Sequence, residues 1–152
     1  MAKTARSISV LLVDDDPGDV LMIEEALETI GSPRTVFVVN DGEEAVAFLR
    51  QTGHFTKAPR PDVVLLDLNM PRMGGKQVLA EIKSDLKLRS IPIVVLTTSQ
   101  SPADILSSYS LHANAYVTKP MNLDDLTEVV HKIDYFFARI AALPGQRPTA
   151  GC

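Results

Sequence analysis

The chain repeats one pattern five times: a short run of apolar and β-branched residues, then a longer stretch whose apolar residues recur at helical spacing. The short runs occupy residues 8–13, 36–39, 63–66, 91–96 and 115–118. Apolarity that is continuous rather than alternating marks a strand buried on both faces. The stretches between them carry helix punctuation. Asp16 stands before Pro17, so it is the expected N-cap of a first helix with Asp19 in its first turn, Val20, Ile23, Leu27 and Ile30 facing inward, and Gly31 as its stop. Asp41 with Glu44 opens a second helix whose inner stripe holds Val46 and Leu49. A third is predicted over 75–86, with Val78, Leu79 and Ile82 inward. Ser101-Pro102-Ala103-Asp104 opens a fourth. Asn122 with Asp125 opens a fifth, which carries Leu126, Val129, Val130, Ile133, Phe137 and Ile140. Five alternations of this kind predict an α/β fold: a doubly wound five-stranded parallel sheet in the flavodoxin-like order 2-1-3-4-5, with helices on both faces. One domain is expected over residues 1–143. Residues 144–152, rich in Pro and Gly, are read as a disordered tail.

Composition narrows the function classes. A net charge of −4 without a basic run argues against a nucleic-acid partner. The apolar runs fall far short of the roughly 20 residues that cross a bilayer, so no membrane association is expected. There is no signal-peptide core behind the first residues, and the one cysteine, Cys152, has no internal partner. A cytoplasmic protein follows as the expectation.

In a doubly wound sheet, ligands gather beyond the carboxyl ends of the strands, where the strand order reverses. The unexplained polar residues fall there. Asp14 and Asp15 leave the first strand, Asp67 the third, Thr97 the fourth and Lys119 the fifth. Capping accounts for Asp16 and Asp19 but not for Asp14 and Asp15. In the order 2-1-3-4-5 the first and third strands are neighbours, which brings three carboxylates together. Like charges that close call for a cation, and an all-oxygen donor set suits Mg²⁺. A cation, a hydroxyl and an ammonium around a carboxylate suit a phosphoryl group, which an Asp can itself accept as an aspartyl phosphate. Each residue has a plainer alternative. Asp67 could only start a turn, Thr97 could be an ordinary strand end, and Lys119 could be solvated.

The acidic pair Asp14-Asp15, the segment Asp67-Leu68-Asn69-Met70-Pro71, Thr97, and Tyr116-Val117-Thr118-Lys119-Pro120 together resemble the receiver domain of two-component response regulators, over roughly residues 7–140. The resemblance implies that Asp67 is the phosphoacceptor. It implies that Asp15, Asp67 and the backbone carbonyl of Asn69 hold Mg²⁺, with Asp14 acting largely through bound water. It implies that Thr97 and Lys119 contact the phosphoryl group, and that Tyr116 is a switch turning inward as Thr97 moves. Finer features resemble the single-domain regulators that partner bacterial phytochromes: Asp16-Pro17-Gly18-Asp19-Val20, residues 58–62, Leu96-Thr97-Thr98-Ser99 and residues 108–114. The implied partner is a histidine kinase of phytochrome type.

With the chain ending soon after its fifth helix, output is expected through protein contacts, including a downstream phosphotransfer protein. Phe136, Ile140 and Leu143 look surplus to a five-stranded core, which suggests a homodimer through that face; core packing is the alternative. The protein is not expected to be a turnover enzyme beyond self-phosphorylation from small donors and self-dephosphorylation. A haloacid-dehalogenase-like phosphatase would carry a second Asp where Asn69 stands. A flavin-binding module would not place three acids after its first strand. A non-signalling scaffold would have no need of the acidic pocket.

Overall fold

A computed structural model describes residues 7–30 and 34–144. The elements in chain order are β1 (Ile8–Val13), α1 (Pro17–Glu28), β2 (Arg34–Val39), α2 (Gly42–Arg50), β3 (Val63–Leu66), α3 (Gly75–Lys83), β4 (Ile93–Thr97), α4 (Pro102–Ser110), β5 (Ala115–Thr118) and α5 (Leu123–Tyr135). The strands form one parallel sheet in the order β2-β1-β3-β4-β5, as the sequence predicts. Because alternate side chains of a strand face opposite ways, the sheet feeds two cores. Leu11, Val13, Val64, Leu66, Ile93 and Val95 pack under α2 and α3. Val10, Leu12, Val63, Leu65, Val94 and Leu96 pack under α1 and α5.

The caps form at the expected residues. Asp16 accepts from the backbone N–H groups of Gly18 and Asp19, Asp41 from Glu44, Ser101 from Asp104, and Asn122 from Asp125. Several boundaries differ from the sequence reading. Helix α1 ends at Glu28 with Thr29 as its cap; Gly31, its expected stop, lies outside the described residues. Strand β2 begins at Arg34 rather than 36, since Arg34 pairs in register with Ile8. Helix α3 stops at Lys83, because Ser84 and Asp85 turn the chain: the Asp85 carboxylate takes the N–H of Lys87 instead of continuing the helix. Strand β4 begins at Ile93 because Pro92 has no N–H to give a ladder. The long segment before β3 contains a short 3-10 turn, Gly53–Phe55, whose Phe55 ring lies 5.4 Å from that of Phe48.

Beyond α5 the chain departs from the expected exposed face at Leu143. A π-helical turn, Phe136–Ile140, follows α5, closed by the Ala141 N–H bonding the Phe136 carbonyl at 2.7 Å. On this turn Phe136 and Ile140 are exposed, while Phe137 and Ala138 are buried in the core. The chain then runs extended from Ala141, and Leu143 folds back among the buried residues under α1 and α5. Leu143 is therefore a core residue and not part of an exposed face. Of the expected tail, residues 144–152, all those beyond 144, including Cys152, lie outside the described residues. Among the described residues no helix is long and apolar enough to cross a membrane.

Candidate functional site

The ladder of the sheet carries the backbone directly into the site. The Asp14 N–H bonds the Val39 carbonyl at 3.2 Å, that of Asp67 bonds Val13 at 2.9 Å, and that of Lys119 bonds Thr97 at 2.7 Å. Four strand exits are thereby fixed at one end of the sheet, and the side chains of Asp14, Asp67 and Lys119 converge. Carboxylate oxygens of Asp14, Asp15 and Asp67 all lie within 4.8 Å of one another. Asp14 and Asp67 are buried and Asp15 is exposed, which leaves the cluster open to solvent on one side.

Lys119 is the counter-charge. Its buried ammonium donates to Asp14 Oδ2 at 2.6 Å and stands 3.8 Å from Asp67 Oδ2. The other oxygen of Asp14 accepts the Asp16 N–H at 2.9 Å. Burial pushes the Asp14 carboxyl above its usual range, outweighing the hydrogen bonds from Lys119 and Asp16 that favour its charge. For Lys119 the balance differs: burial pulls its pKa down, but hydrogen bonds to Asp14 and Asp19 more than reverse this, and the ammonium stays protonated. The Thr97 hydroxyl is fully buried and, among the described residues, has no hydrogen-bond partner. An orphaned donor costs free energy unless something fills it, and an anionic oxygen is a fitting partner.

The donor set fits a hard divalent cation. Three carboxylates close together, with one ammonium for them, leave a surplus of negative charge that oxygen-preferring ions relieve. Asn69, two residues after Asp67, is exposed at the same strand exit.

Two glycines shape the loop after Asp67. A Cβ on Gly75 would overlap the Asp67 carbonyl, so α3 starts directly against the Asp67 backbone. A Cβ on Gly42 would overlap the Met73 carbonyl, so α2 presses on the same loop from the other side. Arg72, at φ 64°, pairs with the buried Asp41. Burial alone would raise the Asp41 carboxyl, but the Glu44 N–H and the Arg72 guanidinium hold it below its ordinary value. Met70 and Met73 pack against the core under α2 and α3, which accounts for them as loop packing.

Tyr116 lies half-buried on β5. Its hydroxyl donates to the Ser99 carbonyl at 2.8 Å, two residues past Thr97, and its N–H donates to the Tyr109 hydroxyl at 3.1 Å. Tyr116 thus ties the strand to the segment before α4 through its side chain and to the end of α4 through its backbone. Ser99 also donates to Asp104 at 2.6 Å, and Asp104 accepts from Lys76 of α3 at 2.5 Å. Phe136 and Ile140 are exposed on the far flank, beside Glu128, His131, Lys132 and Tyr135 in a shallow groove.

One participant escaped the sequence reading. Asp19, assigned only to the first turn of α1, accepts from Lys119 at 2.9 Å. The available signal was positional: a helix that follows a strand after a three-residue link points its first turn back over that strand's exit.

A model of the response regulator receiver domain matches residues 10–131. Response regulator Rcp1 of Synechocystis sp. is 44% identical over 135 residues, covering 89% of this chain and 92% of that protein. Among solved structures, the phosphorylated cyanobacterial phytochrome response regulator RcpA is 48% identical, with a TM-score of 0.88 over 91% of this chain and 99% of that one. The Mn²⁺-bound form of Rcp1 is 43% identical, with a TM-score of 0.86 over 90% and 99%. A response regulator in red light signalling of R. palustris is 32% identical, with a TM-score of 0.84 over 91% and 99%.

Proposed function

The chain belongs to the response regulator receiver domain family, and from that premise we propose that Asp67 accepts a phosphoryl group from a histidine kinase. The observation that carries the reading is the convergence of three carboxylates, one buried ammonium and one unpartnered buried hydroxyl at a single set of strand exits. A carboxylate oxygen of Asp67 bonds to phosphorus as the phosphorus–nitrogen bond of the donor phosphohistidine breaks, and the electron pair leaves on the imidazole. Lys119 balances charge on the transferred oxygens, and Thr97 donates its hydroxyl to one of them. Asp15, Asp67 and the Asn69 carbonyl would hold a divalent cation, Mg²⁺ in this reading, with Asp14 acting on it largely through water, and the ion would supply further neutralisation of those oxygens. Asn69 in place of a second acid leaves no general base for turnover of external phosphoesters, which separates this site from a phosphatase. Hydrolysis is then confined to the protein's own aspartyl phosphate, and small phosphodonors can replace the kinase.

Similarity to RcpA and Rcp1 supports a phytochrome-type kinase as donor. Thr97 moving toward the phosphoryl group shifts Tyr116 and, through its bonds to Ser99 and Tyr109, the surface of α4, β5 and α5. The output is read there by protein partners, a downstream phosphotransfer protein among them, in the cytoplasm. Phe136 and Ile140 form the contact of a homodimer. Asp67→Asn is expected to abolish acid-labile, Mg²⁺-dependent labelling by a cognate kinase or acetyl phosphate. Undiminished labelling of that variant ends the reading.

A further inference from the structure

Lys119 has three N–H bonds, and its two hydrogen bonds go to carboxylates other than the acceptor. Asp14 lies at 2.6 Å and Asp19 at 2.9 Å, whereas Asp67, at 3.8 Å, is beyond hydrogen-bond range. The two partners differ in kind. Asp14 is fully buried at the end of β1 and its second oxygen is fixed by a backbone N–H. Asp19 sits on the first turn of α1 with its side chain 23% exposed, at the rim of the site. We propose that Asp19 is a positioning residue that holds the Lys119 ammonium back from Asp67, and that loading Asp67 with a phosphoryl group requires Lys119 to give up this contact.

The inference rests on Asp67 being the acceptor and adds what restrains the site before loading. An anionic group on Asp67 brings new oxygens that draw the ammonium toward them. Its third N–H is spare, but the bonds to Asp14 and Asp19 fix where the nitrogen stands, 3.8 Å from Asp67, so moving it to meet those oxygens stretches one of the two contacts. Asp14 is buried with its second oxygen held by the Asp16 N–H, whereas the partly exposed Asp19 can take water in place of the ammonium, so its contact is the one exchanged. Loading is therefore weakened by the strength of the Asp19 contact, and removing that charge releases Lys119 toward the anion.

Beryllofluoride, which forms a phosphoryl-like adduct on a carboxylate, is titrated into the full chain at saturating Mg²⁺ for wild type, Asp19→Asn, Asp16→Asn and Asp67→Asn. Asp16→Asn removes the same unit charge from the same turn, and Asn caps a helix as well as Asp does. Asp19→Asn is expected to bind beryllofluoride about three- to tenfold more tightly than Asp16→Asn. Mg²⁺ affinity without beryllofluoride should match between the two, because Asp19 lies outside the three-carboxylate cluster. Equal or weaker beryllofluoride binding by Asp19→Asn overturns the proposal. So does a Mg²⁺ affinity well below that of Asp16→Asn, since Asp19 would then act on the cation rather than on Lys119. Failure of the acceptor assignment looks different: wild type binds no beryllofluoride, or Asp67→Asn binds it as wild type does.

Discussion

At the amino end of β2, Arg34 meets Asp134 of α5; at the carboxyl ends of β1 and β3, Lys119 meets Asp14, Asp19 and Asp67. Both clusters are buried, and they occupy opposite ends of one sheet, Arg34 being paired in register with Ile8 and Val39 with Val13. The first is matched. Arg34 binds Asp134 through Nε and Nη2, each at 2.8 Å, and its Nη1 takes the Leu27 and Ile30 carbonyls at 3.0 and 3.2 Å, which also closes the end of α1. The second is unmatched: one ammonium serves several carboxylates and leaves them with excess negative charge. Burial of charge is common to both, so burial alone does not mark a functional site. The imbalance does, because it can be relieved only by something the chain does not contain.

Breaking the matched cluster should give the largest effect on stability. Arg34→Met leaves Asp134 buried without its fork of donors, and a loss of about 3–5 kcal/mol is expected in urea unfolding. Labelling of Asp67 per folded molecule should be unchanged. A loss below about 1 kcal/mol would place Arg34 among ordinary surface pairs and remove the contrast.

The unmatched cluster should respond with the opposite sign. Asp67→Asn removes one of three mutually repelling carboxylates, so in cation-free buffer it is expected to raise stability by about 1 kcal/mol. Adding Mg²⁺ should narrow the gap, because the wild type gains stability by binding the ion in its folded state and the variant gains less. Thermal melts with and without Mg²⁺ decide this; a destabilised Asp67→Asn in both conditions would mean that Lys119 and Asp67 are as well matched as Arg34 and Asp134.

The contrast also separates what the sequence discloses from what it hides. Asp14, Asp15, Asp67, Thr97 and Lys119 were legible because each follows directly from an apolar run, and a parallel sheet brings all strand exits to one end. The caps were legible because their signals are local. Arg34 with Asp134 was not: the partners are 100 residues apart, and neither stands where a motif would flag it. Asp19 was hidden by a sufficient local explanation, since a first-turn acid beside a capping Asp needs no second role. The place of Leu143 is hidden because helical spacing does not show that the chain leaves the helix at Ala141, where it runs extended and carries Leu143 back to the core. The need for glycine at 42 and 75 is not legible either; it comes from the packing of α2 and α3 against the loop.

The smallest expected effect comes from a pair that is neither buried nor crowded. Lys132 and Glu128 lie 3.0 Å apart on the outer face of α5, both largely exposed. Lys132→Ala should cost roughly 0.5 kcal/mol or less, since water solvates either partner alone. This pair borders the groove that holds Phe136 and Ile140, the face proposed for the homodimer. Stability in dilute solution and light scattering at tens of micromolar therefore test the face together. If two copies meet there, Phe136→Ser leaves single-chain stability nearly unchanged and turns a dimer into a monomer, and the cost of Lys132→Ala rises under the concentrated condition as the pair loses water. A wild-type monomer at that concentration, with or without phosphorylation, removes the dimer and leaves Glu128 and Lys132 as a solvated pair whose charges, unlike those around Asp67, have no work to do.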